Sequence, residues 1–177
     1  APAALAAASV LVLCLSPAAM AEAKAEKTGD KIVMQNEMLK LTIDLKQGAR
    51  VSEFIYKPFG GNIVYPTESS GGILMDHVWE QTWPGEFLNR RYEAEIVKAG
   101  PDEAVVRVWT IGTQTTTKGI RFERVITLKD GDRALRCKLS LINTTTEGKI
   151  TGYWSQNNFW FGGKESLTWA RPAVRGI

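Results

Sequence analysis

Leu39, Leu41, Ile43 and Leu45 alternate with Lys40, Thr42 and Asp44. A strict period of two puts one face of a strand on a core and the other in water. Alternation of this kind recurs along the chain, and outside the apolar N-terminal stretch no segment carries an apolar stripe at the helical period of 3.6. The chain is therefore expected to be all-β. Gln47-Gly48 turns residues 39–45 into a second strand at 50–56, ended by Lys57-Pro58-Phe59-Gly60-Gly61. Residues 63–65 read as a short third strand before Pro66. Further strands are expected over 92–99, 104–111 and 119–128, then over 133–142 and 149–161. Asp130-Gly131 is the hairpin signal between 119–128 and 133–142. In 133–142, Leu135, Cys137, Leu139 and Leu141 share one face, so Cys137 is expected as a buried structural thiol and not a nucleophile. Short strands separated by regular turns make an antiparallel β-sandwich.

Composition removes several function classes. Twenty-two Lys and Arg against nineteen Asp and Glu give a net charge of +3 with the signs interspersed, which is no electrostatic footprint for nucleic acid. One His and two Cys cannot supply a four-ligand zinc site, so metal chemistry on His and Cys is not expected and no metal or cofactor is assigned, with calcium on Asp76, Glu80 and backbone oxygens left open. Residues 3–15 are almost uninterrupted Ala, Leu and Val, and Ala19-Met20-Ala21 has the small residues of a cleavage site. Residues 1–21 are thus expected to be a secretory signal peptide lacking its basic n-region. The run is too short for a transmembrane helix, so no stable membrane span is expected after cleavage. The expected organisation continues with a polar linker over 22–30. A single β-sandwich domain over 31–177 follows, incomplete at its C-terminal side. Export to the periplasm or the extracellular space follows from the same reading.

Several motifs then fall into a family pattern. These are Asn36-Glu37-Met38-Leu39, Gly48-Ala49-Arg50-Val51, Arg124-Val125-Ile126-Thr127-Leu128 and Leu141-Ile142-Asn143-Thr144. Together with Gly152-Tyr153-Trp154 and the approach to Phe161-Gly162-Gly163 they resemble the galactose mutarotase-like (aldose 1-epimerase-like) superfamily over most of residues 31–163. The resemblance implies a large twisted antiparallel β-sandwich that binds sugars on a concave sheet face. It also implies a His general acid and a Glu general base that open and close the sugar ring. The segment similar to the family's His-bearing strand reads Tyr153-Trp154-Ser155-Gln156-Asn157-Asn158-Phe159-Trp160, with Asn at the matching position, and Asn does not shuttle protons. The resemblance places the family's Glu beyond Ile177. Sugar recognition is the firmer expectation, with epimerase-like or other carbohydrate-active chemistry as its extension.

Two segments are candidates for that recognition. Asp76-His77-Val78-Trp79-Glu80-Gln81-Thr82-Trp83-Pro84-Gly85-Glu86-Phe87 reads as a loop without strand or helix period, rich in aromatic and planar polar groups. Residues 154–160 alternate large aromatics with amides, so Trp154, Gln156, Asn158 and Trp160 are expected on one face. Aromatic faces stack on sugar C–H surfaces while amides and carboxylates take the hydroxyls. The candidate catalytic groups are His77, Glu80 and Glu86. The candidate substrate contacts are Trp79, Trp83, Arg90, Arg91, Trp154, Gln156, Asn157, Asn158 and Trp160, for a mono- or oligosaccharide partner. Plainer readings stand beside these: the Trp side chains cap the sandwich, and His77 is a hydrogen-bonded loop residue. In that view Glu80 and Glu86 are solvated, and Arg90-Arg91 flank a strand or else clamp an acidic sugar. A non-catalytic structural or protein-interaction domain of the cell envelope is the alternative function.

Overall fold

The computed structural model describes residues 22–65, 71–79 and 83–160. The expected signal peptide and residues 161–177 lie outside the described residues. Eleven strands form among the described residues: β1 (Lys24–Thr28), β2 (Lys31–Gln35), β3 (Leu39–Asp44), β4 (Arg50–Tyr56), β5 (Gly61–Asn62), β6 (Gly72–Trp79), β7 (Glu93–Ala99), β8 (Glu103–Ile111), β9 (Ile120–Lys129), β10 (Arg136–Asn143) and β11 (Gly152–Asn158). One sheet runs β1-β2-β3-β4-β6-β11, with β5 on β4; the other runs β10-β9-β8-β7. Neighbouring strands are antiparallel throughout. The chain is an all-β antiparallel sandwich among the described residues, and the period-two patterns account for it. β8 and β9 alternate buried and half-buried residues along their length, and Leu39, Leu41 and Ile43 of β3 are fully buried against them in one shared core. Each such side chain contributes about 2 kcal/mol by leaving water.

Four expectations differ from the structure. The expected linker over 22–30 contains β1, because Ala23 and Ala25 are buried and Ala25 pairs with Met34 across a turn at Gly29. Small side chains hid the strand from a reading based on large apolar residues. Residues 63–65 do not pair as an independent strand after β4. They join the end of β11, with Val64 bridging Phe159 and the Tyr65 N–H donating to the Asn158 carbonyl at 3.0 Å. The expected loop at 76–87 begins as strand, since Asp76 to Trp79 complete β6. Finally, Cys137 faces inward beside Ile126 yet is exposed. β10 is an edge strand paired only to β9, and its inward Leu139 and Leu141 are half-covered.

The motifs of the resemblance touch one another. The Asn36 side-chain Oδ1 accepts from the N–H groups of Met38 and Leu39, while its Nδ2 donates to the carbonyls of Lys129 and Asp132. One buried side chain thus ties the β2–β3 turn to the β9–β10 turn. Arg124 projects from β9 into the core, fully buried, and donates to the carbonyls of Gly48, Ala49 and Leu74 at 2.8–2.9 Å. All three of those residues have positive φ, at 65°, 49° and 56°. For Ala and Leu that conformation costs free energy. The guanidinium offsets the cost by satisfying carbonyls that the left-handed turns aim inward.

Candidate functional site

β6 and β11 pair with Trp154 opposite His77, Gln156 opposite Met75 and Gly152 opposite Trp79. Opposed residues of an antiparallel pair lie on one face, so Met75, His77 and Trp79 share the outward face with Trp154 and Gln156. Asp76 and Tyr153 turn the other way, toward the second sheet, Asp76 buried and Tyr153 exposed on the edge strand. Between Gln156 and Asn158 the register shifts: two residues of β6, Ile73 and Leu74, oppose Asn157 alone. The bulge is therefore in β6, at the left-handed Leu74, and β11 keeps its alternation. Both polar groups of the bulged residue are satisfied, because its N–H donates to the Asn157 side chain at 2.8 Å and its carbonyl accepts from Arg124.

Over this outward face lie Trp83 to Gly85. Gly85 bridges back to Val78, where a Cβ would meet the Val78 carbonyl oxygen at 1.9 Å, so only glycine permits the approach. The return brings Trp83, joined to Pro84 by a cis peptide, flat onto His77 with ring centroids 4.4 Å apart and planes 7° from parallel. Trp79 meets Trp83 edge-on at 4.7 Å, and Trp154 stands across it at 6.5 Å and 83°. Gly152 makes room for the Trp79 ring, which lies 2.8 Å from where its Cβ would stand. Trp83 and Trp154 remain about half exposed, at 52% and 56%. They form an open aromatic corner. Beyond it Gln156 donates to the Asn158 side chain at 3.0 Å, and Asn158 reaches Met75 Sδ at 3.7 Å. A cleft lined by Tyr65, Gln156, Asn157, Asn158 and Phe159 follows. Trp160 packs on Tyr65 with ring centroids 5.0 Å apart.

The polar groups of the site have distinct tasks. His77 is buried beneath Trp83, with the Gln156 side chain and the Pro84 backbone beside its ring. Burial lowers its pKa from the ordinary value, against upward pulls from the Asp76 charge, the Gln156 side chain and the Pro84 backbone. The imidazole is neutral at neutral pH and serves as the platform for Trp83. Asp76 is buried on the opposite side of β6, where it ion-pairs with Arg124 at 3.2 Å and accepts from the Tyr153 hydroxyl at 2.8 Å. Burial, with the Asp76 charge beside it, pushes the Tyr153 hydroxyl up to about 12. The adjacent residues Asp76 and His77 thus belong to different faces: one anchors β6 to the second sheet, the other supports the aromatic corner.

Of the candidate residues, His77, Trp79, Trp83, Trp154, Gln156, Asn158 and Trp160 come together on one face, and Asn157 borders it. Glu80 lies outside the described residues. Glu86 is turned to structural work: its carboxylate accepts from Arg90, Thr117, the Thr113 hydroxyl and the N–H groups of Thr113 and Gln114. Burial raises its pKa, but these donors together outweigh that and hold it below the ordinary carboxylate value. A carboxylate so stabilised as an anion is a poor general base. Arg90, paired with Glu86, and Arg91, paired with Asp30 at 2.5 Å, line a different cleft with Glu93, Trp109, Ile111 and Thr113. Among the described residues no three His, Cys, Asp or Glu side chains are grouped to hold a metal ion, and no helix is long and apolar enough to cross a membrane. Sequence reasoning missed the roles of Arg124 and Tyr153. For Arg124 the signal was present, since an Arg in register with Ile120, Phe122, Ile126 and Leu128 must face the core.

Neither a protein-family model nor a curated protein matches this sequence.

Proposed function

We propose that this chain is an exported carbohydrate-recognising domain of the galactose mutarotase-like type, binding sugar on the outward face of β6 and β11. One observation carries the reading: two half-exposed Trp rings at right angles, 6.5 Å apart, stand beside a row of amides on a regular strand. An apolar corner takes the C–H face of a pyranose ring, and the Gln156 and Asn158 amides both donate and accept, as hydroxyls require. Recognition is favoured over ring-opening catalysis. His77 is covered by Trp83, its neighbour Asp76 points into the core, and Glu86 is fully engaged elsewhere. The apolar character of residues 3–15 supports export.

Intrinsic Trp fluorescence of the full chain, titrated with neutral and acidic sugars, tests the proposal. Saturable quenching or a blue shift is expected with at least one sugar class, lost in Trp83→Ala and Trp154→Ala and retained in Trp109→Phe, which alters the other sheet. A flat response from folded protein across the panel refutes it. A partner protein retained on the same face without any sugar response would establish an interaction domain instead.

A further inference from the structure

We infer that the β11 face takes an extended oligosaccharide lying along the strand, with one ring at the Trp83–Trp154 corner and another at the Tyr65–Trp160 pair. This deepens the carbohydrate reading and rests on it. Because the bulge at Leu74 is confined to β6, β11 is unbroken from Trp154 onward, and Trp154, Gln156 and Asn158 project on one side. Trp160 continues that side. Residues 63–65 pair with the end of β11, the Tyr65 N–H on the Asn158 carbonyl and the Trp160 N–H on the Ile63 carbonyl at 2.7 Å, which places Tyr65 next to Asn158 and beneath Trp160.

At a rise of about 3.3 Å per residue, the six steps from Trp154 to Trp160 span roughly 20 Å. Ring faces stack at centroid separations of about 4.5–7 Å, so a single pyranose seated on Trp154 cannot also reach Trp160. A chain of sugars can, and the two amides lie under its middle. Aromatic platforms at both ends with amides between them form a track for a linear ligand. A site for one monosaccharide would close its amides around one ring.

The test is a length series read by Trp fluorescence and by calorimetry on the full chain. Its probes are β-1,4-glucan, α-1,4-glucan, β-1,4-mannan and β-1,4-xylan oligomers of one to six units. Affinity is expected to rise by about tenfold or more from the monomer to the length that spans both platforms, and then to plateau. Trp160→Phe and Tyr65→Ala should reduce binding of the long oligomers toward the short-oligomer level, with short-oligomer binding unchanged. Trp154→Ala should weaken every length. Equal affinity for monomer and oligomer, or long-oligomer binding indifferent to Trp160 and Tyr65, overturns the extended site and leaves carbohydrate recognition standing. No binding at any length in any series, together with a flat response to the neutral and acidic sugar panel, overturns both.

Discussion

Removing one partner of the Arg124–Asp76 pair should destabilise the domain asymmetrically. Both side chains are buried to within 1% and lie 3.2 Å apart. Asp76→Asn keeps the side-chain size and its acceptor for the Tyr153 hydroxyl but leaves the guanidinium uncompensated, a loss of about 3 kcal/mol, the low end for a broken buried pair. Arg124→Met strands the Asp76 carboxylate and orphans the carbonyls of Gly48, Ala49 and Leu74. At about 3 kcal/mol for the stranded charge and ~1 kcal/mol for each carbonyl, the cost is roughly 6 kcal/mol. That approaches the whole stability of many domains, about 5–15 kcal/mol. In the Arg124→Met background the further change Asp76→Asn should cost nothing or partly restore stability, because the stranded charge disappears, so the cycle shows a coupling of at least about 3 kcal/mol. Urea unfolding followed by circular dichroism measures all four variants. A cost below about 1 kcal/mol for Asp76→Asn, or additive single changes, would refute the claim that this pair clamps β6 to the second sheet. The Trp83–Trp154 signal supplies a second readout, since β6 carries Asp76 inward and His77 outward.

Three further outcomes are expected. In Trp83→Ala the loss of the stacked indole exposes His77, so its pKa should rise toward the ordinary value near 6.5, read from the imidazole resonances by NMR titration; an unchanged value would mean that Trp83 does not bury the ring. Glu86→Gln keeps the shape but loses the charge-assisted bonds to Arg90 and Thr117, costing about 2 kcal/mol and lowering Tm by roughly 4–8 °C with sugar binding intact; lost binding with an unchanged Tm would make Glu86 a site residue. The pH dependence of stability should fall in two steps. His77 has a folded pKa below its unfolded 6.5, so the unfolded chain takes the proton first and stability drops as pH falls below about 6.5. Glu86 and Glu53 have folded values below 4.5, so their contribution is complete above that pH and is lost as pH falls through it and below. His77→Gln should abolish the upper step alone in denaturant midpoints taken across pH.

Period-two alternation in β3, β8 and β9 was enough to establish an all-β chain, since no helix accommodates that pattern and turn residues mark where each strand stops. The same alternation put Trp154, Gln156, Asn158 and Trp160 on one face, because β11 is regular and local geometry alone decides which way its side chains point. Other features required the folded chain. β1 carried no sequence signal because its one buried residue, Ala25, is small, and its burial depends on what packs over it. Asp76 and His77, neighbours in a stretch expected as a loop, lie on opposite faces of β6 once that stretch is strand. Cys137 faces inward as its strand pattern indicates, but exposure depends on cover from another sheet, and an edge strand lacks it. Arg90 and Glu86, adjacent in sequence to the aromatic loop, are drawn to the residues 112–117 turn by hydrogen bonds to Thr113 and Thr117. Sequence determines period, turns and the chemistry available on each strand. Which strands become neighbours, and hence which side chains meet, is decided by long-range pairing and by the core that forms between the sheets.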